Sequence, residues 1–160
     1  MQNLHAYWRM DYVEIPQAEK SKDDDPFLKI PSEDESTSLL IFRSELCYAA
    51  LNKFPYNAGH SMVIPYRQVT DLQGLTAEEY TDMCQSILKM QQILANALRP
   101  HGFNIGYNLG SAAGAGIANH IHCHLVPRWH GDTNFMPVIG DTKVLPQALE
   151  KMVARLRSFA

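Results

Sequence analysis

The sequence predicts an α+β domain, a five-stranded antiparallel sheet with one long helix and a C-terminal helix. Three patterns carry that expectation. Short apolar runs bounded by turn residues recur five times, one long stretch of helical periodicity separates the third from the fourth, and a second helical stretch closes the chain. At 160 residues the chain suits one domain spanning 1–160 with a core of its own. Hydrophobic residues at 46% and charged residues at 19% describe a folded chain rather than a disordered one.

Residues 39–43 and 46–51 are apolar runs joined by Ser44-Glu45, the pattern of a hairpin. Residues 55–59 form a turn, and residues 60–65 a third strand closed by Pro65. Thr76-Ala77-Glu78-Glu79 is a capping box, in which hydroxyl and carboxylate satisfy each other's backbone donors at a helix start. The helix it opens carries Tyr80, Cys84, Ile87, Leu94 and Leu98 near one face, with Gln91 interrupting, and the run Arg99-Pro100-His101-Gly102 stops it. A fourth strand is expected over 103–109 and a fifth over 120–126. Pro146 suits the first turn of a last helix whose apolar stripe is Leu149, Met152, Val153 and Leu156. Residues 19–38 hold seven of the 17 acids and read as a solvated, mobile connector. Ahead of them, Tyr7-Trp8-Arg9-Met10-Asp11-Tyr12 is an aromatic cluster suited to docking on the core or covering a site.

With 14 basic and 17 acidic residues the formal charge is −3, which excludes a strongly basic footprint for a nucleic-acid polymer. No apolar run approaches the roughly 20 residues that span a bilayer, so no membrane partner is expected. The N-terminal residues lack a basic and apolar leader, making the cytoplasm the expected compartment. Cys47, Cys84 and Cys123 are widely spaced and odd in number, which reads as free buried thiols and not a thiolate metal site.

Residues 119–127 hold the chemistry. Alternation along a strand would project His120, His122 and His124 from one face at about 6.5–7 Å intervals, while Ile121, Cys123 and Leu125 turn to a core. Packing alone would not select three of the seven histidines for one face. A metal site is the competing reading, with His60 as a third ligand. Acids near the triplet are few, and a run of small residues at 110–116 immediately precedes it, which favours phosphate. That run brings bare backbone close to a ligand, with N–H donors at Gly114, Ala115, Gly116 and Ile117. A neutral imidazole is a competent nucleophile toward phosphorus, and a protonated partner offsets charge on the transferred group. No tightly bound metal is expected.

His120-Ile121-His122-Cys123-His124-Leu125-Val126 resembles the signature of the histidine-triad superfamily, histidines alternating with apolar residues and two apolar residues at the end. Residues 39–60 resemble the first strands of its fragile-histidine-triad branch. Residues 7–12 and 128–135 resemble extra segments of that branch's bacterial diadenosine tetraphosphate phosphorylases. The resemblance implies the histidine-triad fold and nucleotidyl transfer from a dinucleoside polyphosphate through a nucleotidyl-histidine intermediate, with water or phosphate as acceptor. By position, His122 would be the nucleophile, His124 would hold phosphate oxygens and assist the leaving group, and His120 would support the site from behind. Asn108 would contact phosphate or ribose, Asn52 would bind the ribose, and His60 would buttress the triad. Trp8 and Trp129 read as core or interface aromatics rather than base-stacking platforms. Magnesium would accompany the polyphosphate. The implied assembly is a homodimer, or a homotetramer through the extra segments. Gly116 departs from the pattern, standing where many relatives place Gln or Ser. Two other functions stay open, a purine nucleoside phosphoramidase and a non-catalytic nucleotide sensor.

Overall fold

The computed structural model describes residues 25–34, 38–140 and 147–160. The aromatic cluster at residues 7–12, the first part of the acidic stretch and Pro146 lie outside them. Five strands, β1 (Leu40–Arg43), β2 (Cys47–Leu51), β3 (Ser61–Pro65), β4 (Gly102–Tyr107) and β5 (Cys123–Arg128), form one sheet in the order β1-β2-β3-β5-β4. Every pairing is antiparallel. Helix α1 (Ala77–Leu98) separates β3 from β4, a single short turn α2 (Met136–Ile139) follows β5, and α3 (Leu149–Arg157) ends the chain. Among the described strands and α-helices, α2 alone was not foreseen.

Alternation sorts the side chains onto two faces. Cys47, Ala49, Leu51, Val63, Cys123 and Leu125 turn toward α1 and make the main core. Tyr48, Ala50, Met62 and Ile64 turn the other way and form a smaller cluster with Leu40 and Phe27. Both central strands are therefore buried on both faces, which explains their nearly unbroken apolar runs. The thiols are packing groups: burial pushes Cys47 up to about 12 and Cys123 up to about 11, with the Asp82 carboxylate adding to the effect at Cys47.

The capping box forms as expected, with Glu79 N–H donating to Thr76 Oγ1 at 3.2 Å and Thr76 N–H to Glu79 Oε2 at 2.8 Å. The buried face of α1 is turned from the expected one. Met83, Ser86, Met90, Ile93, Leu94 and Ala97 are buried, whereas Tyr80 is half exposed and Cys84, Ile87 and Leu98 sit at the margin. Tertiary contact pulls the helix over. Arg67 grips Glu79 with two hydrogen bonds, Nε to Oε1 at 2.8 Å and Nη2 to Oε2 at 2.6 Å, drawing position 79 inward. The flexible methionines then fill the space beneath.

The expected fifth strand is shortened. It begins at Cys123, so His120, Ile121 and His122 precede the ladder, although the His122 ring still lies 4.7 Å from that of His124. Ile121 N–H donates instead to Val69 O at 2.6 Å, which bends the chain at the histidines. Part of the acidic stretch is also structured: residues 25–34 carry two 3-10 turns, Pro26–Leu28 and Ile30–Ser32, with Asp25 and Phe27 buried. They are not a solvated connector, because Phe27 adds apolar area to the smaller cluster and Asp25 finds a buried partner.

Gly59 turns the chain into β3 at φ +74°, and a Cβ there would run into Leu98 Cδ1. Left-handed backbone costs a non-glycine residue about 1–2 kcal/mol, and moving Leu98 adds to it. Gly59→Ala should lose about 1–3 kcal/mol in urea unfolding. An unchanged midpoint would show that the turn tolerates a side chain.

Candidate active site

The polar face of the sheet gathers the histidines where β3 and β5 meet, with His124 opposite Met62. His60, His120, His122 and His124 are all buried. The rings of His122 and His124 lie 4.7 Å apart, edge to face, and Phe27 sets its edge against both His120 and His122, at 5.6 and 4.9 Å between centroids.

Hydrogen bonds decide where each proton sits. Tyr56 N–H donates to His60 Nδ1 at 2.9 Å, so that nitrogen is an acceptor and Nε2 carries the hydrogen. His60 Nε2 then donates to His124 Nδ1 at 2.9 Å, which leaves the His124 hydrogen on Nε2. His124 Nε2 has no hydrogen-bond partner among the described residues although it is buried. A buried donor left without a partner is costly, so an acceptor on a ligand is its natural complement. His122 takes the opposite tautomer. Its Nδ1 meets the backbone carbonyl of His120 at 2.8 Å and must donate to it, leaving a lone pair on Nε2.

Both rings are neutral near pH 7. Burial lowers His122, and lowers His124 to about 4 with help from the neighbouring His122. One imidazole is thus a nucleophile through Nε2, and its neighbour offers an N–H beside it.

The small-residue loop contributes less than its composition suggests. It folds as a 3-10 turn, Ser111–Ala113, with Gly110 and Gly114 at positive φ. The Gly114 and Ala115 amides donate internally, to Ser111 O at 2.9 Å and Gly110 O at 3.3 Å. Those two expected phosphate donors are therefore already engaged, because the turn needs them to close. The amides of Gly116 and Ile117 make no hydrogen bond among the described residues. Asn108 follows β4, half buried, with a side chain that likewise engages no described partner. Asn52 caps the next turn, Oδ1 accepting from Phe54 N–H at 2.8 Å, while Nδ2 approaches Met62 Sδ at 3.4 Å. Trp129 is half buried, and its backbone N–H donates to Asp132 Oδ2 at 3.1 Å. Asp132 also takes a two-pronged bond from Arg128, which holds its carboxyl far below the usual range. That pair bonds Asn57 and Asn104 and ties the segment after β5 to the sheet.

Sequence reasoning missed three contributors. Tyr56 fixes the tautomers through its amide and stacks on His124 at 5.6 Å, and a backbone donor leaves no mark in residue type. Asp25 and Phe27 were hidden inside a charge run. Their signal was Asp-Pro-Phe, a side-chain cap followed by proline at the first turn position and then an aromatic. Among the described residues no group of three or more His, Cys, Asp or Glu is arranged to hold a metal ion.

The HIT domain family matches residues 33–131, more than half of the chain. The chain belongs to the HIT family. It is an enzyme of that family by its relatives. An AP-4-A phosphorylase of Mycobacterium tuberculosis is 42% identical over 154 residues, covering 93% of this chain and 79% of that one. A bis(5'-nucleosyl)-tetraphosphatase (asymmetrical) of Schizosaccharomyces pombe is 37% identical over 95 residues, 59% of this chain and 52% of that protein. Among solved structures, a zinc-bound histidine triad family protein of Mycobacterium smegmatis superposes with a TM-score of 0.67 at 26% identity, covering 87% and 94% of the two chains. A HIT-like protein of Bartonella henselae superposes with a TM-score of 0.68 at 20% identity, covering 86% and 96%, and shares the fold. No helix of the described residues is long and apolar enough to cross a membrane.

Proposed function

We propose that this HIT enzyme cleaves dinucleoside polyphosphates, diadenosine tetraphosphate in the first instance, by transferring a nucleotidyl group to His122. The opposed tautomers of His122 and His124 carry this reading. His122 Nε2 attacks the α-phosphorus and forms a P–N bond as the P–O bond to the nucleoside triphosphate breaks. His124 Nε2–H donates a hydrogen bond to a phosphate oxygen and offsets the charge that builds as the nucleoside triphosphate leaves as an anion. The resulting nucleotidyl-histidine splits one hard displacement into two easier ones. The amides of Gly116 and Ile117, with Asn108, are the donors available to the phosphates. Magnesium enters with the polyphosphate as part of the substrate.

Inorganic phosphate is the acceptor of the second step, releasing ADP and regenerating His122. The 42% identity to an AP-4-A phosphorylase over most of the chain supports this choice. So does Gly116, which places no side chain beside the loop to crowd a phosphate ion. With diadenosine tetraphosphate and millimolar phosphate the products should be ADP and ATP, resolved by ion-exchange chromatography. AMP and ATP alone, at a rate indifferent to phosphate, would assign the chain to hydrolysis.

The assembly we expect is a homodimer built on β4. That strand ends the sheet, and Ile105 on it is 43% exposed, uncovered by α1. An edge with open backbone groups and an apolar residue suits pairing with a second copy. Light scattering should report a mass of two chains, or four if the dimers associate further.

A further inference from the structure

Asp25 is the acid the site was not expected to own. Its side chain and that of His120 are 1% and 0% exposed, and Oδ2 lies 2.7 Å from His120 Nδ1. The carboxylate is fully engaged: Oδ1 accepts from Phe27 N–H at 2.9 Å, and Oδ2 also from Gln68 Nε2 at 2.7 Å. On the far side of the ring, His120 Nε2 meets Pro65 O at 2.9 Å. A peptide carbonyl can only accept, and a carboxylate already receiving two other donors is an acceptor as well. Both nitrogens of His120 therefore carry hydrogens. The ring is an imidazolium sealed against a single carboxylate, a charge-assisted pair in a dry site.

The rest of the network points one way. The backbone carbonyl of His120 holds the Nδ1 hydrogen of His122 at 2.8 Å. Phe27, whose edge meets both rings, is held by Tyr48 Oη donating to Phe27 O at 2.6 Å. Pinning the His120 ring at both nitrogens pins its backbone, and so the tautomer and aim of His122.

The geometry points to Asp25 as a positioning residue, which with Gln68 locks the His120 ring with a hydrogen on each nitrogen and through the His120 carbonyl presents His122 Nε2 to the substrate. This rests on the proposed nucleophilic role of His122, but its structural half stands without it. Burial is the first cause of the lowered His122, and charge on His120 opposes a second proton there as well. Opposition by the charge of His120 is offset in part by attraction to Asp25, so the chief consequence is orientation.

Asp25→Asn separates the ideas. The amide keeps the shape and offers an N–H to His120 Nδ1, so the ring becomes neutral while its bond to Pro65 O survives. Nitrogen-15 spectra of the full chain at pH 7.5 should show both His120 ring nitrogens protonated in the wild type, and one unprotonated in Asp25→Asn. With diadenosine tetraphosphate and phosphate, kcat should fall on the order of tenfold at unchanged KM, the usual scale for losing an outer hydrogen bond that orients an acting group. An unprotonated His120 nitrogen in the wild type would overturn the assignment, even if the variant fails to fold. Full kcat in the variant, or equal damage to KM and kcat, would overturn the positioning role. A wild type inert toward dinucleoside polyphosphates would sink the proposed reaction, while the nitrogen spectra would still decide the state of His120.

Discussion

His122→Asn should reduce kcat on diadenosine tetraphosphate by roughly 10⁴-fold or more, equivalent to about 5 kcal/mol of lost transition-state stabilisation, with nucleotide still bound. The expectation follows from one atom. His122 Nδ1 is committed to the His120 carbonyl, so Nε2 alone is free to attack, and asparagine offers no lone pair of comparable basicity there. Neither of the other two histidines of the triplet can take its place. His124 Nε2 carries a hydrogen because of His60, and His120 has both nitrogens engaged. Single-turnover assays of wild type and variant, with the urea midpoint as a control on folding, decide the matter. A variant retaining more than about a tenth of the activity, a loss of only ~1.4 kcal/mol, would remove His122 from the covalent step.

Acid should destabilise the fold well before its carboxylates protonate. His124 has its ordinary value of 6.5 unfolded and about 4 folded, lowered first by burial and then by His122. Between those pH values the unfolded chain binds the proton and the folded chain refuses it. The contribution is thus complete above about pH 6.5 and lost as pH falls toward 4, to a total on the order of 3 kcal/mol. The refusal has a structural cause: a proton on His124 Nδ1 would face the His60 Nε2 hydrogen, and His60 cannot change tautomer while Tyr56 N–H holds its other nitrogen. Urea unfolding at pH 7.5, 5.5 and 4 should show the decline, and His124→Asn should show a visibly shallower one. Equal slopes in the two proteins would contradict the neutral pair. The same logic predicts that the acid limb of kcat lies below the ordinary histidine range, since His122 is lowered too.

Much of the fold was legible. The hairpin of β1 and β2, the capping box of α1 and the stripe of α3 are written in residues at most a few positions apart, and short-range geometry realises them almost unaided. The face of α1 was misjudged because an apolar count weighs Tyr80 and Cys84 as equals of Met83 and Met90. Position 79, which the apolar count leaves out, is buried as well, with its carboxylate paired to Arg67. The fifth strand was read too long for a similar reason. Alternation at His120 and His122 satisfies the strand pattern, yet the Ile121 amide bonds Val69 instead of the ladder.

Residue type and spacing alone singled out His122 and His124 and the small-residue run before them, because three alternating histidines beside glycines have little other use. Protonation was settled elsewhere. The tautomers of His60, His122 and His124 and the charge on His120 depend on Tyr56 N–H, Pro65 O, the His120 carbonyl and the Asp25 carboxylate. Three of these are backbone atoms, identical in every residue, and the fourth lies 95 positions from its partner inside a run of acids. Side-chain chemistry is local and can be read from a string of letters. Whether a given nitrogen donates or accepts depends on the atom facing it across the fold, and only the packed sheet brings those atoms together.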